Sequence, residues 1–69
     1  MKLSTRNTLK GTIKKVELGA VNAEITLEIA PGVEVVSVIT KSSAERLSLT
    51  EGKEAYALIK ATDVAIAVD

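Results

Sequence analysis

The sequence predicts an all-β domain with one short helix, arranged as a five-stranded Greek-key barrel of the OB type. Segments in which apolar and polar residues alternate with a period of two recur along the chain, and Gly and Pro punctuate them. After the third segment the pattern is interrupted by residues that start a helix, so the order reads three strands, one helix, two strands. The 69 residues fit one domain, 1–69.

The first strand is expected over 9–18, with Gly11 as a bulge or a point of close backbone approach and Gly19-Ala20 as the turn that follows. Its alternation is imperfect, because Thr12, Lys14, Val16 and Leu18 fall on one face while Ile13 falls on the other with Lys15 and Glu17. Twist or a bulge is therefore expected. The cleanest alternation runs over 22–30, where Ala23, Ile25, Leu27 and Ile29 alternate with Glu24, Thr26, Glu28 and Ala30. Pro31-Gly32 breaks it, and the β-branched run from Val33 to Thr40 completes a hairpin. Ser42-Ser43-Ala44-Glu45 has the spacing of a capping box, with Ser42 as N-cap and Glu45 reaching back to it. Strand four is expected over 54–61 and strand five over 64–68, where Val64, Ile66 and Val68 alternate with alanines. Both strands carry Ala on one face, which suits close packing, a second subunit included.

Composition narrows the function. Nine basic residues balance nine acidic ones, so no overall field draws the chain to nucleic acid or to anionic lipid. Hydrophobic residues make up 46% of the chain, yet Tyr56 is its single aromatic residue, which removes the rings on which bases stack. No apolar run approaches the ~20 residues that span a bilayer, and the first residues lack the apolar stretch of a signal peptide. A cytoplasmic protein is expected, with no nucleic-acid and no membrane partner. A chain this short buries a small fraction of its surface, and without Cys or His neither a disulfide nor a zinc site can complete the fold. Oligomerisation remains.

The same inventory does not suit catalysis. There is no His base and no Cys nucleophile, the Ser and Thr residues lack an evident activating partner, and the carboxylates fall on polar strand faces or in turns. No catalytic residue, no cofactor and no cation-binding metal site is expected. Anion binding fits better: Ser4-Thr5-Arg6-Asn7, Thr40-Lys41-Ser42-Ser43 and Lys60-Ala61-Thr62-Asp63 each place hydroxyls and a cation in a turn or at a strand end. A dianion taken out of water needs positive charge and a full shell of donors, which Arg, Lys, hydroxyls and the free N–H groups at a helix start supply. Each piece also has a plainer role, Ser42 as a cap, Lys60 and Arg6 as solvated cations. Spacing alone does not bring residues 4, 40 and 60 together.

The opening Ser4-Thr5-Arg6-Asn7-Thr8-Leu9-Lys10-Gly11 resembles the S-A-R-N-x-x-x-G start of molbindins and related Mop domains. The likeness continues through Gly19-Ala20-Val21-Asn22-Ala23-Glu24, Ile39-Thr40-Lys41-Ser42-Ser43-Ala44-Glu45-Arg46-Leu47, Glu51-Gly52 and Leu58-Ile59-Lys60-Ala61-Thr62-Asp63-Val64, covering essentially the whole chain. It implies a barrel that exchanges a strand in a dimer, three such dimers in a homo-hexamer, and molybdate or tungstate bound between subunits. Carried over residue by residue, it implies that Ser4, Arg6, Lys60 and the backbone of Ala61 come from one subunit and Thr40 and Ser43 from a neighbour. A second site near a threefold axis would use Val21 and Asn22. Thr5 stands where the family often has Ala, a harmless exchange on this reading, and Ala61 where some relatives have Ser, which removes one hydroxyl donor.

The function expected from the resemblance is reversible storage or buffering of the oxyanion, with no chemistry at the metal. The rival readings are a structural or regulatory OB-like module and a single-stranded nucleic-acid-binding OB domain. Net charge zero and one Tyr argue against the second.

Overall fold

The computed structural model of the chain describes residues 2–69. Four strands form one antiparallel sheet: β1 (Asn7–Leu18), β2 (Asn22–Ala30), β3 (Val33–Thr40) and β4 (Glu54–Ile59), in the order β3-β2-β1-β4. A short helix, α1 (Lys41–Arg46), follows β3, and a 3₁₀ turn over Ala61–Asp63 follows β4. The all-β class with one short helix is as expected. No helix is long and apolar enough to cross a membrane.

β1 serves two partners in succession. Its first half pairs with β4, from Asn7 opposite Ile59 to Thr12 opposite Glu54, and its second half pairs with β2, from Thr12 opposite Glu28 to Leu18 opposite Ala23. The register shifts between Ile13 and Lys15, leaving Lys14 as the extra residue of a bulge. One extra residue inverts the parity of the strand. Ile13 therefore faces Leu27, Val16 faces Ile25, and both point to the core although they are three residues apart. The imperfect alternation in the sequence is the signature of this bulge.

Gly11 is a point of close approach. A Cβ built there would lie 2.4 Å from the carbonyl oxygen of Glu28, a backbone atom that cannot swing aside. Beyond β2, Pro31 and Gly32 make the hairpin turn, and Gly32 takes the positive φ of 76° that its position requires.

The core is small: Ile13, Ala23, Ile25, Leu27 and Ala44 are buried, and Val16, Ile29, Ile39, Leu49, Ala55 and Ala57 pack partly against them. Ala44 is the buried residue of α1, so a helix of six residues closes one end of the sheet with one methyl group and little else.

Two local expectations change. Thr40, not Ser42, is the N-cap: its hydroxyl oxygen accepts from the Ser43 N–H, and the helix begins at Lys41, one residue before the expected cap. The cap is thus the last residue of β3, still extended, as an N-cap must be. At the other end the N–H of Ser48 bonds the carbonyl of Glu45 and the N–H of Leu49 that of Ala44, the paired bonds of a Schellman motif. Ser48 holds the left-handed position, φ 54°, usually given to Gly. The ammonium of Lys53 donates to the Leu47 and Ser48 carbonyls at 3.0 and 3.2 Å.

The fifth strand is a correction. Residues 64–69 join no strand of this chain, and Ile66 and Val68 are 86% and 90% exposed. Val64 has extended backbone, but an alternating segment becomes a strand only beside a sheet edge. The sheet therefore has four strands and two open edges, β3 and β4, and does not close into a five-stranded barrel. β4 also ends at Ile59, before Lys60 and Ala61.

Two substitutions test these backbone assignments. We predict that Gly11→Ala lowers stability by about 1–3 kcal/mol, the usual cost of overpacking. Ser48→Gly should raise it by about 0.5–1 kcal/mol, the left-handed penalty less the added freedom of Gly when unfolded. Denaturant midpoints at fixed protein concentration read both; a neutral Gly11→Ala would contradict the close approach at Glu28.

Candidate functional site

Antiparallel pairing decides which termini of the strands meet. Because Asn7 lies opposite Ile59, the residues just before β1 and just after β4 leave the sheet side by side. The side-chain amide of Asn7 locks this end by donating to the Ile59 carbonyl at 3.1 Å. Ser4, Thr5 and Arg6 thereby share one cleft of about 280 Å³ with Lys60, Ala61 and Thr62. Four of the expected site residues, Ser4, Arg6, Lys60 and Ala61, are brought together in this way.

The cleft is suited to an anion. Its lining holds one guanidinium, one ammonium and three hydroxyls, and no carboxylate. Among the described residues neither Arg6 nor Lys60 belongs to an ion pair; the pairs run Lys10 to Glu54, Lys14 to Glu28 and Lys15 to Glu17. Two cations lining one cleft without a carboxylate favour an anion there. The 3₁₀ turn closes with the Asp63 N–H on the Lys60 carbonyl at 2.9 Å and the Val64 N–H on that of Ala61 at 3.3 Å. The N–H groups of Ala61 and Thr62 precede these bonds and are not used by them. Ala61 can thus contribute its backbone, as the resemblance implies.

A second, larger cleft of about 450 Å³ lies where β1 changes partner, lined by Lys10, Gly11, Thr12, the stretch from Glu28 to Pro31, and Glu54. Size does not make it the better site. It holds two carboxylates against one ammonium, and the Glu54 carboxylate already bonds Lys10 at 3.2 Å, holding that ammonium above its ordinary pKa. An oxyanion there would meet carboxylates.

Thr40 and Ser43 sit together at the start of α1, outside the cleft of Arg6 and Lys60. The Thr40 hydroxyl donates to Ser43 Oγ at 2.8 Å while accepting from the Ser43 N–H at 3.0 Å. Val21 and Asn22 adjoin this group: the Val21 carbonyl accepts from the Lys41 N–H at 2.7 Å, Asn22 lies opposite Thr40, and its carbonyl accepts from Gly19 at 2.8 Å. The two sets expected to form separate sites, Thr40 with Ser43 and Val21 with Asn22, are thus neighbours at one end of the β2–β3 hairpin. Among the described residues no three His, Cys, Asp or Glu side chains converge as metal ligands.

Two lining residues, Thr5 and Thr62, were not among the expected ligands. Both lie in the hydroxyl-bearing turns that sequence chemistry had marked, which was the available signal. Thr5 differs from its neighbours: all other residues of the lining are exposed, whereas Thr5 is half-buried.

Comparison with known proteins identifies the family. A family model described as the TOBE domain matches residues 3–66. Molybdenum-pterin-binding protein 3 of Clostridium pasteurianum is 50% identical over 66 residues, covering 96% of this chain and 97% of that protein. Molybdenum-pterin-binding protein MopA of Rhodobacter capsulatus is 48% identical over 67 residues, of which the chain spans only 25% of the length. Among solved structures, a molybdate-binding protein from Sporomusa ovata superposes with a TM-score of 0.91 at 38% identity, covering 99% of this chain and all of that one.

Proposed function

We propose, from the premise that this chain belongs to the TOBE-domain family, that it binds molybdate or tungstate reversibly and stores or buffers it inside the cell. The observation that carries the reading is the β1–β4 register, which sets Arg6 beside Lys60 in a cleft with hydroxyls and without carboxylates. The names of the similar proteins point to molybdate, and tungstate enters by its likeness in charge and size.

The cleft is half of a site. Apart from Thr5 its lining is exposed, too open to strip water from a dianion by itself. A neighbouring copy completes it with Thr40 and Ser43, whose hydroxyls lie together at the start of α1. Assembly is favoured by apolar surface that one chain leaves uncovered: Val36 and Val38 on the β3 edge strand, and Ile66 and Val68 beyond β4, are all exposed. Residues 64–69 lie along a second copy as the fifth strand of its sheet, and three such dimers make a hexamer. Val21 and Asn22 line the second anion position. The assembly is cytoplasmic, and the chain acts by binding alone, with no chemistry at the metal.

Selectivity follows from size. Molybdate is larger than sulfate or phosphate, so donors fixed at its radius leave a smaller ion with stretched bonds, at about 1–3 kcal/mol for each buried donor left unsatisfied. Tungstate, nearly equal in size and charge, binds alike.

Titration calorimetry of the parent and of Arg6→Ala tests the reading. The parent should take up molybdate or tungstate in preference to sulfate and phosphate, and Arg6→Ala should lose that binding. Because Arg6 is exposed and has no ion-pair partner among the described residues, its unfolding midpoint should stay within about 0.5 kcal/mol of the parent's. An Arg6→Ala protein that binds as tightly as the parent would overturn the assignment.

A further inference from the structure

Among the described residues one buried side-chain polar atom lacks a hydrogen-bond partner, and it belongs to the candidate site. It is Oγ1 of Thr5, sealed from solvent although Thr5 lines the cleft between Arg6 and Lys60. A buried hydroxyl without a partner is destabilising, and native structures keep few of them without a use.

Thr carries its hydroxyl and its methyl on the same carbon. Thr5 lines the cleft while its Oγ1 is sealed, and a rotation of about 120° about χ1 carries the hydroxyl to another staggered position, the change that brings it toward an anion in the cleft. A dianion between Arg6 and Lys60 gives that hydroxyl the acceptor it lacks, through a charge-assisted bond stronger than one between neutral groups. Ala61 has no side-chain donor, so a hydroxyl at position 5 adds to those of Ser4 and Thr62.

We propose that Thr5 is a further ligand-binding residue of this chain, whose hydroxyl turns from its sealed, unpartnered position to donate to the bound oxyanion. This rests on the oxyanion reading of the cleft and deepens it. Thr5 differs from the surrounding donors in needing the anion to satisfy it. Its contribution appears only in the loaded protein, while its cost is carried by the empty one.

Those two effects have opposite signs and can be read separately. Thr5→Val keeps the shape and removes the hydroxyl; in the absence of anion it should raise the unfolding midpoint, while molybdate, measured by titration calorimetry, should bind about tenfold more weakly, the equivalent of one charge-assisted hydrogen bond. Thr5→Ser keeps the hydroxyl and should bind molybdate within about twofold of the parent. Thr5→Ala should behave as Thr5→Val in binding, which preserves the comparison with Thr5→Ser if the valine variant fails to fold. Unchanged molybdate affinity in Thr5→Val or Thr5→Ala would overturn the proposal and leave Thr5 a structural residue, with the oxyanion reading intact. A parent protein that takes up no molybdate would overturn the oxyanion reading itself, and this inference with it.

Discussion

Antiparallel pairing of β1 with β4 fixes which turns of this chain can meet. With Asn7 opposite Ile59, the hydroxyl-and-cation segment at residues 4–6 has no choice but to emerge beside the one at residues 60–62. The Asn7 side chain reinforces the same end of the ladder by bonding the Ile59 carbonyl. A slip of one residue would turn every side chain of β4 to the opposite face and separate the two cations from their common cleft. The geometry of the cleft is thus a property of strand register rather than of any loop's own conformation.

Register in turn depends on β1 being long enough to serve two partners and bent enough to do so without losing its core face. The bulge at Lys14 restores Val16 to the side of Ile13, and Gly11 lets the β2 backbone at Glu28 come close where the strand changes partner. This arrangement holds together around a core with few large side chains, Ile13, Ile25 and Leu27 among the buried residues. Valines on the β3 edge and the alternating segment at residues 64–68 stay exposed. A short chain with a small core and two open edges has a physical reason to assemble.

Much of this was legible in the sequence because period-two alternation reports burial directly. β2 and β3 fall where the pattern puts them, and the irregular alternation around Ile13 announced a bulge. The fifth strand was not legible as a strand of this chain: Val64, Ile66 and Val68 specify an extended segment, but alternation carries no information about which edge, or whose, it lies against. The cap was misplaced by two residues because Thr40 and Ser42 are both good N-cap types, and the choice between them depends on where β3 stops. Of the site, residue chemistry marked the three segments, and resemblance pooled them; the register joins two of the three within one chain. The weight of Thr5 was missed entirely, since a hydroxyl without a partner is visible only once its surroundings are known.

If the cleft is completed by a second copy, anion binding and assembly are one linked equilibrium, and each must strengthen the other. Native mass spectrometry of the parent protein, with molybdate, tungstate, sulfate or phosphate added in turn, reads both at once. Binding between subunits predicts a hexamer that takes up several molybdate or tungstate ions, and little sulfate or phosphate. A monomer, or an assembly indifferent to all four anions, would contradict it.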